Sequence, residues 1–296
     1  MNQFQGPMQP FPGLERWARR VQLPSSGIAI HYFDTGEQGP TTAAPVLLLH
    51  GLGDEADTWR NVLPGIAARR AIAPDLPGFG RSDQGKHPYT IPFFAETLLE
   101  LVDYLALPEV VLVGHSTGAI IAQEFALRYP RRVQRLVLIG GSLVAGEGKP
   151  DPSLLMFLIP GLGEWAYNRL RKDPEAAYRS LEPYYHRLQE LPQADRDFLY
   201  QRVNERVWSD GQRRGFLSTL RGMVRWLPAQ QKSLQDRLRN SRIPTTIIWG
   251  ENDRIMPVQT ANTLVGLLPD ARQVVVPNAG HNVHQEKPEV VVEEIG

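Results

Sequence analysis

Short, almost unbroken apolar runs alternate along this chain with segments of helical period. Val46-Leu47-Leu48-Leu49, Ala71-Ile72-Ala73, Val110-Val111-Leu112-Val113, Val133 to Ile139, Ile243 to Trp249 and Gln273 to Val276 make up the first set. Runs of this length read as strands of a mostly parallel sheet, buried on both faces. Ahead of them, Ala18 to Leu23 and Gly27 to Phe33 read as two strands joined by a turn at Ser25-Ser26-Gly27. Between the runs, Thr58 to Arg70 has helical spacing. Phe94, Leu98, Leu101, Val102 and Leu105 share one face of a second helix, capped by Thr90 with Pro92 in its first turn. Ala119 to Leu127, a stretch after Pro257, and Pro288 to Ile295 complete the helical set. Residues 1 to about 14 are Gln/Pro-rich and predict a loose arm. Residues 35–45 read as a Gly/Thr/Pro loop. Alternating strand and helix predicts an α/β fold.

The alternation stops between about Gly146 and Gln235, where no strand pattern occurs and helical stretches are broken at Pro152, Pro160-Gly161, Pro174, Pro183 and Pro192. Eleven of the chain's 25 aromatic residues fall here, including Trp165, Tyr184, Tyr185, Trp208 and Trp226. The pattern predicts a core of residues 1–145 and 236–296 with a helical cap, 146–235, inserted in it. The run Leu154 to Ile159 fits three uses: lining an apolar acyl pocket, packing as a buried cap helix, or meeting a lipid interface. Phe157 and Trp165 are candidate substrate-binding residues.

One junction carries chemistry. Val110 to Val113 runs straight into Gly114-His115-Ser116-Thr117-Gly118, and a helical stretch follows at once. Strand, tight turn with a serine at the apex, then helix is the pattern of a nucleophile elbow, with small residues where the turn is crowded. Ser116 is the candidate nucleophile. A serine hydroxyl needs a base to take its proton. His281, in Asn278-Ala279-Gly280-His281 after the last strand, is the candidate; His284, three residues on, is the competing choice. His31, His87 and His186 sit in segments without other catalytic signal. His50 and His115 are expected to hydrogen-bond their own loops, and His115 is also a candidate substrate neighbour.

The base needs a carboxylate to fix its tautomer. Asp253 follows the strand ending at Trp249, in Gly250-Glu251-Asn252-Asp253, where it equally suits a turn or helix cap. The other strand end available, after Ile139, offers no carboxylate before Glu147. Ser116, Asp253 and His281 thus lie at the carboxyl ends of strands, the edge where such sheets bind ligands. The oxyanion formed by attack on a carbonyl needs prepared donors. The backbone N–H groups of Thr117 and of Leu52, in His50-Gly51-Leu52-Gly53, are the candidates, and Leu52 is also placed beside substrate.

Composition narrows the setting. Lys plus Arg and Asp plus Glu number 32 each, so net charge is zero and nothing global points to nucleic acid or an anionic membrane. There is no cysteine, which excludes disulfides and thiolate chemistry. The N-terminus lacks a signal-peptide pattern and no window reaches the ~18 apolar residues of a membrane span. The expectation is a soluble protein, cytoplasmic by default and without stable membrane insertion.

The stretches at 50–53, 114–118, 250–253 and 280–281, with Asp75-Leu76-Pro77-Gly78-Phe79-Gly80-Arg81-Ser82, resemble in order the α/β-hydrolase superfamily, from about residue 20 to 295. The resemblance implies an eight-stranded, mainly parallel sheet, a helical cap after the sixth strand, and a Ser-Asp-His hydrolase using no metal or organic cofactor. The final helix is short, which predicts a clipped C-terminus. Serine at 116 speaks against relatives that use aspartate there, such as haloalkane dehalogenases and epoxide hydrolases. The leading expectation is a carboxylic ester hydrolase, esterase- or lipase-like, taking small to medium apolar acyl esters. Cleavage of C–C bonds, thioesters or lactones is the alternative, and a small-molecule binding protein with a retained triad the third.

Overall fold

The computed structural model of the protein describes residues 3–36, 43–144 and 152–296. The expected starts of the cap at Gly146 and of its apolar run at Leu154, and most of the expected 35–45 loop, lie outside the residues or side chains described. Eight strands form one sheet: β1 (Ala18–Gln22), β2 (Ala29–Asp34), β3 (Val46–Leu49), β4 (Ala71–Pro74), β5 (Val110–His115), β6 (Val133–Ile139), β7 (Thr245–Gly250) and β8 (Ala271–Val276). Their spatial order is β1-β2-β4-β3-β5-β6-β7-β8. β2 pairs antiparallel with β1 and β4, and every other pairing is parallel.

The apolar runs explain the central strands. Leu47, Leu49 and Leu112 face one core layer, while Val46, Leu48, Val111 and Val113 face the other. Alternate side chains of a strand point to opposite faces, so a strand covered by helices on both sides is apolar throughout. Burial of each such side chain contributes roughly 1.5–3 kcal/mol.

The helices, in chain order, are α1 (Leu63–Ile66), α2 (Ile91–Tyr104), α3 (Thr117–Arg128), α4 (Pro152–Leu158), α5 (Leu162–Arg169), α6 (Pro174–Arg179), α7 (Gln193–Trp208), α8 (Asp210–Arg239), α9 (Gln259–Val265), α10 (Val283–Glu286) and α11 (Pro288–Ile295). The Thr90 side chain accepts from the Phe93 N–H and starts α2 as expected. The helix expected over Thr58 to Arg70 forms only in pieces, a 3-10 turn at Ala56–Trp59 and the four-residue α1. Pro64 has no N–H to give, and Gly65 beside it is a weak helix former. Helices α4 to α8 lie between β6 and β7. α8 continues past Gln235 to Arg239, because no glycine or proline stands near 235 to stop it.

The N-terminal arm is packed, not loose. Phe4 and Leu14 are buried, the Phe11 ring meets Phe198 edge-on at 5.0 Å, and Phe4 lies 6.3 Å from Tyr200. The Phe11 N–H donates to Asp57 Oδ1 at 2.5 Å, and Arg202 donates to the Gln9 carbonyl. Aromatic residues hidden in a Gln/Pro-rich stretch supply the apolar area that holds it to α7.

α7 is also bound to the core by charge. Glu55 is fully buried and receives Arg206 at 2.7 and 2.8 Å and Arg202 at 3.2 Å. Arg206 reaches Asp54 as well. Arg81 bridges Asp57 at 2.5 Å and Asp75 at 2.8 Å, and Arg60 meets Asp195, just inside the start of α7, at 2.5 Å. Buried carboxylates need such partners, since an unpaired charge in the interior is very costly.

Candidate active site

Ser116 stands between β5 and α3 with φ 53° and ψ −119°. This left-handed backbone costs a non-glycine residue of order 1–3 kcal/mol and persists only where the surroundings enforce it. They do: a Cβ on Gly114 would lie 2.4 Å from the Gly118 carbonyl oxygen, and one on Gly118 would lie 2.3 Å from that of Leu49. The Ser116 N–H donates to the Ile139 carbonyl at 2.8 Å. The backbone of Ser116 is therefore held at the apex of the turn between β5 and α3.

Asp253 and His281 come together on the same edge, after β7 and β8. His281 Nδ1 donates to Asp253 Oδ2 at 2.8 Å, both side chains being buried. The other oxygen, Oδ1, accepts the N–H groups of Ile255 and Met256 at 2.8 Å. Asp253 thus caps its own turn and orients the imidazole at once. With the proton fixed on Nδ1, Nε2 presents a lone pair, and it has no hydrogen-bond partner among the described residues. No direct hydrogen bond joins it to Ser116. The two residues flank one pair of glycines: a Cβ on Gly140 would stand 3.1 Å from His281 Nδ1, and one on Gly141 would stand 2.2 Å from the Ser116 carbonyl oxygen. Such hydrogen bonds commonly tighten only around a bound substrate.

The oxyanion candidates flank the serine. A Cβ on Gly51 would lie 3.2 Å from Ser116 Cβ, so the loop carrying Leu52 abuts the elbow. Thr117 is the first residue of α3, where N–H groups are free of helical partners and the helix dipole favours anions. Among the described residues, neither the Leu52 nor the Thr117 N–H has a backbone partner.

Three other histidines, His50, His115 and His284, have structural partners. His50 accepts the Leu76 N–H on Nε2 at 2.9 Å and therefore donates from Nδ1 to its neighbour, the Gly51 carbonyl, at 2.8 Å. His115 does not bond its own loop. Its Nε2 donates to the His281 carbonyl at 3.1 Å, and its ring lies between those of His281 and His284, 4.9 and 4.3 Å away. It supports the candidate base from behind. His284 is held by Thr58 Oγ1 at 2.7 Å and has no carboxylate partner. Burial and the nearby His281 push His115 down to about 3, and burial with His115 beside it holds His284 well below its usual range. Both stay neutral in the fold but protonate in the unfolded chain below ~6.5. The unfolded state then binds more protons, so stability is lost as pH falls from about 6.5. Unfolding at pH 5 is expected to take up about two protons through these residues, which calorimetry across pH measures.

Several contacts at the site had no signal in the sequence. Glu286 accepts the N–H of Gly280, next to His281, and of His186, both at 2.7 Å, and the Tyr184 ring lies 5.8 Å from that of His281. Phe216 of α8 comes down on the oxyanion loop, its Cδ2 3.1 Å from where a Cβ on Gly53 would sit. Phe157 packs on Phe216 at 5.9 Å, close to where a substrate neighbour is expected. Trp165 is not part of this wall. It is 53% exposed, with Arg169 over its ring at 5.0 Å. Among the described residues, no group of three or more His, Asp or Glu side chains is arranged to hold a metal ion.

A family model described as alpha/beta hydrolase fold matches residues 44–288. The chain belongs to the α/β-hydrolase family. It is a hydrolase of that family. It is 31% identical over 274 residues to a 2-hydroxy-6-oxo-2,4-heptadienoate hydrolase of Pseudomonas putida, covering 89% of this chain and 90% of the relative. It is 30% identical over 271 residues to a 2-hydroxymuconate semialdehyde hydrolase of Pseudomonas sp., covering 88% and 86%. Among solved structures, a thermophilic esterase from Thermogutta terrifontis superposes with a TM-score of 0.73 at 25% identity, covering 94% of this chain and 96% of that one.

Proposed function

We propose that this hydrolase cleaves a C–C bond next to a ketone carbonyl, through an acyl-enzyme on Ser116. The observation that carries the serine chemistry is the 2.8 Å pair of His281 Nδ1 and Asp253 Oδ2 on the sheet edge that bears the elbow. In this reading His281 Nε2 takes the Ser116 proton as Oγ attacks the carbonyl carbon, and the Leu52 and Thr117 N–H groups receive the oxyanion. The intermediate collapses by breaking the bond to the neighbouring carbon. That carbon leaves as an enolate, protonated by the imidazolium, and water then releases the acyl group. A carbon leaves readily only when its charge is delocalised, which calls for a vinylogous diketone. The relatives named above, hydrolases of a hydroxy-oxo-dienoate and of a semialdehyde, support that choice of bond over an ester.

Ester hydrolysis is the second reading, favoured by the site's surroundings. Phe157 and Phe216 form an apolar wall, and Arg60, Arg81, Arg202 and Arg206 are each engaged by a carboxylate. The carboxylate of a hydroxy-oxo-dienoate finds no guanidinium free among these four. Steady-state assays with a 2-hydroxy-6-oxo-dienoate beside a chain-length series of p-nitrophenyl esters separate the two. Faster kcat/KM for the dienoate is expected. Ester turnover without dienoate cleavage gives the ester reading, and binding without turnover of either overturns both.

A further inference from the structure

The helices between β6 and β7 turn much of their apolar surface outward. Leu155, Ile159, Leu162 and Trp165 on α4, the following turn and α5 are 40–54% exposed, and Val224 of α8 is 44% exposed. These are five of the seven large apolar side chains exposed among the described residues. They lie together. Arg221 of α8 donates to the Phe157 and Ile159 carbonyls at 3.1 and 3.3 Å and pairs with Glu164 at 2.8 Å, so Val224, one turn on, joins the α4–α5 side. Apolar patches of this kind on a folded chain mark interaction sites.

The charge around the patch indicates what covers it. Residues 155–172 and 221–225 contain five Lys and Arg and a single carboxylate, Glu164, in a chain whose net charge is zero. Arg171 is taken by Asp210 and Arg221 by Glu164, but Arg169, Lys172 and Arg225 make no ion pair among the described residues. A two-fold contact between copies of this chain would set this cationic rim against itself. An exposed tryptophan and aliphatic side chains on segments that also carry unpaired Arg and Lys match instead the boundary of an anionic bilayer, where apolar groups enter the headgroup layer and cations meet phosphate.

We propose that the α4–α5 face, with Val224, docks peripherally on an anionic lipid surface. Contact is by side chains only; among the described residues no helix is long and apolar enough to cross a membrane. Phe157 lies between Leu155 and Ile159 in sequence yet packs inward on Phe216 above the oxyanion loop. Apolar contact therefore runs from this face through Phe157 and Phe216 to the oxyanion loop. The proposal does not depend on which bond is cleaved.

Co-sedimentation with vesicles of phosphatidylglycerol and phosphatidylcholine, and of phosphatidylcholine alone, tests it. Binding to the anionic vesicles is expected, weakened by ~0.5 M salt, with a blue shift of tryptophan emission that Trp165→Phe removes. The pairs Leu162→Ser with Val224→Ser, and Arg169→Gln with Arg225→Gln, are each expected to reduce partitioning roughly tenfold or more. The Leu162/Val224 pair keeps the turnover of a soluble substrate, which separates lost docking from misfolding. Ser116→Ala loses turnover and keeps vesicle binding, so docking and hydrolysis fail separately. The proposal is overturned if anionic vesicles leave the protein in the supernatant, or if both variant pairs bind like the wild type. It is equally overturned if sedimentation shows a dimer that these pairs break.

Discussion

Replacing His281 with alanine, or Asp253 with asparagine, is expected to lower kcat/KM by roughly 10³-fold or more on any substrate the enzyme turns over. The two changes act on one unit. Without the imidazole, Ser116 keeps its proton and remains a weak nucleophile. With asparagine at 253, Oδ2 is no longer a charged acceptor 2.8 Å from Nδ1, and the ring can take the wrong tautomer. The double variant is expected to cost little more than either single one, because members of such a unit do not add. A nearly normal rate in His281→Ala would pass the role to His284. The structure argues against that outcome, since His284 is buried, tied to Thr58 Oγ1 at 2.7 Å and without a carboxylate partner. Steady-state kinetics on purified variants, with circular dichroism to confirm folding, decides the matter.

The second large effect lies in the charged seam beneath α7. Arg206→Met is expected to lower the unfolding free energy by about 3–5 kcal/mol, because it leaves buried Glu55 and neighbouring Asp54 short of positive charge. Adding Glu55→Gln should recover a large part of the loss, since removing both members of a buried pair costs far less than removing one. Urea titration of the two variants measures the difference. A loss under about 1 kcal/mol for Arg206→Met would mean that Arg202, 3.2 Å from Glu55, compensates alone. The oxyanion loop ends at Gly53, immediately before these carboxylates, so kcat should fall with stability.

The sheet was legible because each central strand is an apolar run with layered neighbours, and the elbow because its glycines are dictated by contacts of a few ångströms. Asp253 and His281 were legible from their places after β7 and β8. The pieces that stayed hidden depend on contacts distant in sequence. Nothing near Phe216 announces that it will cover Gly53, and nothing near Glu286 announces that it will hold the Gly280 and His186 N–H groups. The break within Thr58 to Arg70 was present as Pro64-Gly65, where helical spacing and local backbone preference disagree and the backbone prevails. His115 looked like a loop histidine because its partner, the His281 carbonyl, is 166 residues away.

The packed arm has a consequence for the order in which the chain is made. Phe4 and Phe11 leave the ribosome almost two hundred residues ahead of their partners Tyr200 and Phe198. Contacts so distant in sequence form late. The arm must therefore wait, uncovered, until α7 has been synthesised and seated, and side chains made well before α7 are among the last to reach their places.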